Sequence, residues 1–488
     1  MAGNGSHHQP EPQAGDLPSW ATAALDAAIA ALDTVPKNSE GSVESAQVRG
    51  PIPSGPVGDS SHNYPFFSAL QDLASYGYTE EEFFFSGTTF GGPYTSRMLV
   101  RRPTSPAQFS GTVFVEWLNV TFGYDVDALW VRSADQILRD GDAYIAVDAQ
   151  IEGLSRLKGF NPKRYECLDI PNTGKSILES GAYGIFAQAL QTIRHPLGAN
   201  PLGGLPPKTI VATGNSQSAG TLWIYSSTFG ITFPTLVDAY LITGLSTITL
   251  ELGLGLPPIP ATSASFPFIV ADHHVPVFIL NTETDPSFHR SMPDSATFRL
   301  WEVAGSSHLD HDSWCQIQRL AQRDLDMDAL SGLPCAVSTS TLSRIPFRYA
   351  QNAALVHITH WARTGTPPPS QPGFTYTSTG TIVRDSDCNA LGGVRLPEQD
   401  VPTATNRGDS SSPLKPLYGF LGQYQPFTPE RLQQLYPNHT VYVQQVRAAT
   451  ERAVAAGVLL PPDASEVIAT AEAANNIPPA TSPTPSTS

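Results

Sequence analysis

Residues 209–220 read Thr-Ile-Val-Ala-Thr-Gly-Asn-Ser-Gln-Ser-Ala-Gly, and their pattern is the most informative in the chain. Its β-branched first half predicts a strand, and a helix pattern begins at Gln217. The small residues between them predict a tight turn with Ser216 at its apex. Residues two before and two after the apex lie against each other in such a turn, so both must be small, as Gly214 and Ser218 are. The pattern approximates G-x-S-x-G, with a serine in place of the second glycine.

A competing register places Ser218 at the apex, because its neighbours Ser216 and Gly220 are also small. The strand pattern ends at Thr213, which puts the sharp turn directly after it and favours Ser216. Glycine before the turn also tolerates an unusual backbone better than serine does. A serine at such an apex is suited to attack a carbonyl carbon, with the N–H of Gln217 at the helix N-terminus donating to the oxyanion that forms.

A serine nucleophile needs a base and an acid that orients the base, and in this arrangement the chain order is serine, acid, histidine. His308 fits the base, because it follows the predicted strand 298–303 on a loop of small residues. Such loops, at the carboxyl ends of strands, build the sites of open α/β sheets. The predicted strand 277–281 leads into Thr-Glu-Thr-Asp, so the acid is Asp285 or Glu283. Asp285 is preferred because it resembles the usual acid of the loop after the penultimate strand.

The second oxyanion donor is expected from an early strand. In this arrangement it is a backbone N–H on the loop that follows the strand. Residues 112–118 predict that strand, and the chain continues with Asn-Val-Thr at 119–121. The N–H of Asn119 or of Val120 is therefore the candidate.

A cluster of histidines and acids near the candidate base resembles a metal site. Residues 308–312 read His-Leu-Asp-His-Asp. Their spacing lacks the i, i+4 histidine pair of a helical zinc site, and Asp310 fits the start of a helix near Trp314. The four cysteines are too scattered for a zinc site or a disulfide scaffold. We therefore expect no metal and no cofactor, while His311 stays an alternative base.

Along the chain, strands alternate with helices, which predicts a mostly parallel central sheet with helices on both faces. We expect residues 1–50 to be a loosely attached N-terminal extension with one helix and a linker. Residues 51–470 form the main domain, and residues 471–488 form a disordered tail. Residues 245–268 are rich in Leu, Gly and Pro and could form a small cap over the site or a packed surface loop.

The composition limits the class of partner. The net charge is −16, and an acidic surface repels nucleic acid and anionic lipid. No run of about 18 apolar residues predicts a transmembrane helix, and the N-terminus lacks the pattern of a signal peptide. We therefore expect no nucleic acid and no membrane partner, a small-molecule ester as substrate, and a cytoplasmic location or secretion after processing. The oligomeric state stays open.

Five segments form a recognisable set: Val-Glu-Trp-Leu-Asn-Val (115–120), Gly-Asn-Ser-Gln-Ser (214–218), Asn-Thr-Glu-Thr-Asp (281–285), Arg-Leu-Trp-Glu-Val-Ala-Gly-Ser-Ser-His (299–308) and Gly-Gly-Val-Arg-Leu-Pro (392–397). Together they resemble a widespread group of bacterial and fungal α/β-hydrolase domain proteins, many without an assigned substrate. The resemblance implies the α/β-hydrolase fold, Ser216 as nucleophile and His308 as base, and it includes the segment around Arg395 in the same domain. It chooses neither between Asp285 and Glu283 nor among substrates.

These residues predict a serine hydrolase that cleaves a carboxylic ester through an acyl-enzyme on Ser216, with His308 as the base. The same triad would serve an acyltransferase, a thioesterase, a lactonase or a lyase of secondary metabolism, and the sequence does not separate these reactions. A catalytically inactive binding protein is a third hypothesis. The presence of serine, acid and histidine in the expected order argues against it.

Overall fold

The computed structural model describes residues 19–245, 273–285, 292–326, 339–378, 380–408 and 420–477. The expected cap at 245–268 lies outside these ranges except for Leu245, and so does the expected tail from residue 478 onward. Within these ranges the centre of the molecule is a ten-stranded sheet, accompanied by a separate two-stranded sheet.

The strands of the large sheet are mostly short apolar runs. They are β1 (Gln47–Arg49), β2 (Tyr78–Thr89), β3 (Gly92–Pro103), β4 (Thr112–Trp117), β5 (Ala143–Val147), β6 (Leu197–Gly198), β7 (Thr209–Asn215), β8 (Ala239–Thr243), β9 (Val277–Thr282) and β10 (Phe298–Val303). The small sheet pairs β11 (Ala404–Arg407) with β12 (Gln423–Pro426) in antiparallel fashion.

The large sheet has the order β10-β9-β8-β7-β4-β5-β3-β2-β1-β6. Every neighbouring pair from β10 to β5 is parallel, while β3 and β2 join antiparallel beyond β5. All residues of β4, β5, β7, β8 and β9 are buried, as expected for parallel strands covered on both faces. The prediction of a mostly parallel central sheet is confirmed.

Helices cover both faces of the sheet, as predicted. They are α1 (Ser19–Thr34), α2 (Ala128–Asp140), α3 (Ile151–Phe160), α4 (Pro162–Tyr165), α5 (Ser180–Arg194), α6 (Gln217–Ser227), α7 (Phe229–Thr232), α8 (His311–Leu325), α9 (Phe347–Thr364), α10 (Pro397–Asp400), α11 (Pro429–Leu435), α12 (His439–Ala455) and α13 (Pro461–Ala473). None of the helices in the described ranges is long and apolar enough to cross a bilayer.

Alternate side chains of β4 show how the two faces form separate cores. Val113, Val115 and Trp117 pack into the core with α1, α5 and α6, whereas Phe114 packs into the core with α2, α9 and α12. Successive residues of a strand point to opposite faces, so one strand serves both cores. The carboxyl ends of the parallel strands are thereby held in one row, at the edge where loops can build a site.

The N-terminal part is more integrated than the sequence indicated. Ala24 and Ala28 of α1 are buried in the main core, and α1 packs against α5. Val48 of β1 is paired with Phe85 of β2 and is also buried. The expectation of a loosely attached linker is therefore wrong for these residues, because a strand of three residues is too short to show a periodic pattern.

The beginning of the expected tail is also structured. Residues 471–473 complete α13, and Ala471 and Ile477 are both buried in the second core. The low-complexity composition that predicts disorder starts only after these residues. The boundary at 471 was therefore placed too early.

A buried carboxyl lies in the middle of the sheet. Oε1 of Glu116 accepts the backbone N–H of Leu129 at 2.9 Å, and Oε2 accepts the hydroxyl of Tyr144. Burial raises the pKa of Glu116 to about 8, although both hydrogen bonds act to lower it. The folded chain therefore holds a proton on Glu116 at pH values where the unfolded chain has released it, and the stabilisation this provides is lost as the pH rises through the folded pKa.

We predict that Glu116→Gln flattens the pH dependence of the free energy of unfolding between about pH 5 and about pH 8. Glutamine keeps an acceptor for Leu129 and has no proton to release, so wild type should lose stability relative to the variant as the pH rises. Urea unfolding at both ends of the range measures this difference. Tyr144→Phe is the matched control, since it removes the hydrogen bond and keeps the titrating group. A wild-type-to-variant difference that stays constant across the range would contradict the raised pKa.

Candidate active site

Ser216 lies at the sharp turn between β7 and α6. Its backbone has φ 62° and ψ −122°, a conformation that few residues other than glycine adopt. Its N–H donates to the carbonyl of Thr243 on β8 at 3.0 Å, which ties the turn to the neighbouring strand. The strand-to-helix turn predicted from the sequence is present, with Ser216 at its apex.

The crowding expected around the apex is visible at Gly214. A Cβ atom on Gly214 would lie 2.7 Å from the carbonyl oxygen of Ser218, closer than real contacts allow. Ser218 itself is fully buried, with its Oγ accepting the N–H of Asn215 at 3.0 Å and donating to the carbonyl of the same residue at 2.9 Å. Ser218 therefore stabilises the turn from inside, and the competing register is not the one adopted.

His308 and Asp285 come together at the carboxyl ends of β9 and β10. Nδ1 of His308 lies 2.8 Å from Oδ1 of Asp285, and Oδ2 of Asp285 accepts the hydroxyl of Thr282 at 2.6 Å. Burial acts to raise the pKa of Asp285, but the charge and hydrogen bond of His308, with the bonds from Thr282, hold this pKa below its usual value. The carboxylate is therefore ionised, and it leaves Nε2 as the imidazole nitrogen that can exchange a proton with a serine.

Glu283, the alternative acid, is not in contact with His308. Its Oε1 binds Arg384 at 2.6 Å, and its Oε2 accepts the N–H of Gly305 at 2.7 Å. Glu283 therefore links the loop after β9 to the loop after β10 and to the C-terminal part of the chain. Naming Glu283 as a candidate triad acid was wrong, because the loop turns between residues 283 and 285 and directs the two carboxylates to different partners.

The predicted oxyanion donors are only partly free to donate. The backbone N–H of Asn119 donates to the carbonyl of Val126 at 3.2 Å, so it is not available to a ligand. The side chain of Asn119 instead spans the site, donating from Nδ2 to the carbonyl of Asn215 at 3.0 Å and accepting the N–H of Thr121 on Oδ1 at 3.0 Å. The N–H of Val120 has no acceptor within the described ranges. Gln217 begins α6, where a backbone N–H has no partner in its own helix.

Two residues that sequence reasoning missed hold His308 in place. Nη2 of Arg132 on α2 donates to the carbonyl of His308 at 2.6 Å, and the ring of Phe420 lies 4.7 Å from the imidazole. Arg132 gave a weak signal, as a charge within the mostly buried face of α2. Phe420 gave none, because its contact with His308 joins distant parts of the chain.

Ser216 and His308 line the same cavity. Its wall comes from the loop after β4, the start of α2, the turn after β7, the loop after β10, the start of α8 and the C-terminal segment. The lining residues are Asn119, Thr121, Phe122, Val126, Ala128, Val131, Arg132, Asn215, Ser216, His308, Leu309, Ser313, Ile317, Phe420 and Leu421. A cavity of this kind beside a serine, a histidine and a buried carboxylate can hold the reacting bond of a small molecule.

The acid and histidine cluster after His308 lies at the start of α8. Asp310 caps α8, its side chain accepting the N–H of Ser313 at 2.8 Å, and Asp312 lies in the first turn of that helix. Within the described ranges, no three His, Cys, Asp or Glu side chains are grouped so that they could hold a metal ion. The helix start predicted at Asp310 is confirmed.

A family model described as an alpha/beta hydrolase domain matches residues 50–469. This chain belongs to that family. The match includes all the residues described above for the site, and the observed sheet order and strand-to-helix turn agree with the fold that the sequence resemblance implied. Membership supports a hydrolase and leaves the bond that is cleaved open.

Other comparisons of this α/β hydrolase are weak. No curated protein matches the chain. A structure from a study of two prolyl endopeptidases is 13% identical with a TM-score of 0.31, covering 48% of this chain and 36% of that one. The esterase Est22 is 12% identical with a TM-score of 0.30, covering 52% and 72%. An alpha-beta serine hydrolase homologue from Coxiella burnetii is 13% identical with a TM-score of 0.28, covering 48% and 92%. Similarity at this level supports no conclusion about the function of this α/β hydrolase.

We predict that Ser216→Gly is more stable than Ser216→Ala by about 1 kcal/mol, even after the greater unfolded-state entropy of glycine is included. Both variants lack the hydroxyl, so they differ in how well a side chain tolerates the positive φ. Urea unfolding of the two purified variants measures the difference. An alanine variant as stable as the glycine variant would show that the turn is not strained.

We predict that Asp285→Asn lowers the rate at which a fluorophosphonate labels the chain by about a hundredfold or more, because the imidazole loses its orienting carboxylate. Glu283→Gln is the matched control and should change the labelling rate far less while lowering the stability, since it removes the charge that balances half-buried Arg384. Intact-mass spectrometry follows both rates. Equal losses in the two variants would contradict the distinction between the carboxylates.

Proposed function

We propose that this protein is a serine hydrolase that cleaves a carboxylic ester through an acyl-enzyme on Ser216. The observation that carries the proposal is the arrangement of Ser216 on a strained turn, in the same cavity as an imidazole whose other nitrogen is held by buried Asp285 at 2.8 Å. Strained backbone persists where the surrounding structure enforces it, and it is concentrated at functional sites. A binding protein would gain nothing from this arrangement.

In the first half of the reaction, Nε2 of His308 takes the proton of the Ser216 hydroxyl while Oγ bonds to the carbonyl carbon of the ester. The carbonyl oxygen becomes an oxyanion, which the N–H groups of Gln217 and Val120 stabilise by hydrogen bonds. The positive imidazole is stabilised by Asp285. His308 then gives its proton to the alkoxide, the carbon–oxygen bond breaks, and the alcohol leaves an acyl group on Ser216.

In the second half, a water molecule enters where the alcohol was bound. His308 takes a proton from this water, and the resulting hydroxide attacks the acyl carbon. The same N–H groups stabilise the second oxyanion. Collapse of this intermediate releases the carboxylic acid, and the proton on His308 returns to Oγ of Ser216, so the enzyme is restored.

The surroundings of His308 support this role. The imidazole is in contact with the ring of Phe420, Arg132 donates to the backbone carbonyl of His308, and the backbone N–H of His308 donates to Oγ1 of Thr284 at 3.2 Å. Each contact comes from a different part of the chain. A base that must accept and return a proton without changing place benefits from being fixed in this way, because misplacement by about 1 Å can cost a hundredfold in rate.

We predict that Ser216→Ala lowers hydrolysis of p-nitrophenyl butyrate by about a thousandfold or more and leaves the circular dichroism spectrum unchanged. Ser218→Ala is the matched control, and it should retain labelling of Ser216 by a fluorophosphonate, with the modified peptide identified by mass spectrometry. Ester hydrolysis at the wild-type rate in the Ser216 variant would refute the proposed nucleophile. If the wild-type protein hydrolyses none of the esters tested, the proposed reaction is refuted.

A further inference from the structure

The wall of the cavity beside Ser216 is mostly apolar. The side chains that form this apolar wall come from the loop after β4, from α2, from the loop after β10, from α8 and from the C-terminal segment, and they include Phe122, Val131, Leu309, Ile317, Phe420 and Leu421. Five separate parts of the chain thus converge on one apolar space next to Ser216 and His308. Water is not favoured in such a space, whereas an alkyl group is stabilised there by each methylene that it removes from water.

Among the described lining residues, Arg132 has a positively charged side chain. Two nitrogens of its guanidinium donate to protein groups. Nη2 donates to the carbonyl of His308 at 2.6 Å and Nε to Oγ of Ser313 at 3.2 Å, while Nη1 is buried and has no hydrogen-bond partner among the residues that the structure describes. Burial lowers the pKa of Arg132, and the nearby carboxylates of Asp310 and Asp285 act in the opposite direction. Two nearby carboxylates against one guanidinium leave no net positive charge to attract an anion.

Helix α8 lines the cavity over one helical turn. Ser313 and Ile317 both line the cavity and are one helical turn apart on the same face of α8. Ser313 is the nearer to the catalytic groups, because its Oγ binds the same guanidinium that holds the carbonyl of His308. Four residues of helix span about 6 Å along the helix axis, which is the length of a few methylene groups, so Ile317 lines a part of the cavity one helical turn beyond Ser313.

We propose, building on the proposed ester hydrolysis, that the substrate places a short, uncharged alkyl group in this cavity and that Ile317 limits the length of that group. The apolar wall selects an alkyl chain, the balanced charges disfavour an anionic one, and the Ile317 side chain closes the far end. Ile317 is a specificity-determining residue with no part in the chemical step, so its replacement changes which ester is preferred and leaves the reaction itself in place.

The test compares kcat/KM for p-nitrophenyl esters of increasing acyl length and for acetate esters of increasing alcohol length. In wild type, one of the two series should fall off at a short chain. Ile317→Ala should raise the ratio of hexyl to butyl activity in that series by about tenfold or more, and Ile317→Val should raise it less. Arg319→Ala, an exposed position on the same helix, is the matched control and should leave the ratio unchanged.

A second comparison tests the charge. p-Nitrophenyl pentanoate and p-nitrophenyl hydrogen glutarate have acyl groups of equal carbon number, and the neutral ester should be preferred by about tenfold or more. A preference for the charged ester that disappears in Arg132→Gln would overturn the inference and make the guanidinium the binding group.

The same measurements separate this inference from the proposed function. Ser216-dependent hydrolysis whose chain-length ratio is unchanged in both Ile317 variants, in both series, overturns the inference alone. Absence of Ser216-dependent hydrolysis for every ester overturns the proposed function and the inference together. Because each ratio is taken within one variant, a general loss of activity from altered packing does not change it.

Discussion

The close approach of Gly214 to the carbonyl of Ser218 is the constraint on which the site depends. It allows β7 to turn directly into α6 without an intervening loop, so Ser216 is held at positive φ at the start of a helix. The same geometry leaves the first N–H of α6 without an intrahelical acceptor beside the serine. The position of Ser216 and the unpaired N–H of Gln217 are therefore consequences of one backbone contact, made possible by the absence of a side chain at Gly214.

The parallel sheet converts this local turn into a site by bringing distant loops to the same edge. Strands β7, β9 and β10 end together, so Ser216, Asp285 and His308 meet although they are far apart in the chain. The antiparallel strands β2 and β3 extend the sheet on the side away from β9 and β10. Burial on both faces makes the register rigid, because a shift by one residue would exchange the two cores.

The C-terminal third is part of the site. Arg384 binds Glu283 between the two loops, and Phe420 is packed on His308. These contacts add a layer beyond the strands that carry the reacting groups. They explain why the residue that resembled a second catalytic acid has a structural role: a buried carboxylate that binds an arginine and a backbone N–H fixes the positions of both loops.

The fold class, the turn at Ser216 and the candidate base could be predicted from the sequence, because short-range patterns of strand, glycine, serine and helix indicate each of them. The tertiary structure was needed to show that Asp285 and not Glu283 contacts His308, since both carboxylates lie in one short loop and differ only in their surroundings. It also showed that the N–H of Asn119 is already bonded to Val126, and that the N-terminal segment joins the sheet. Contacts such as those of Arg132 and Phe420 with His308 join residues far apart in the chain, and no local pattern records which distant side chains will meet.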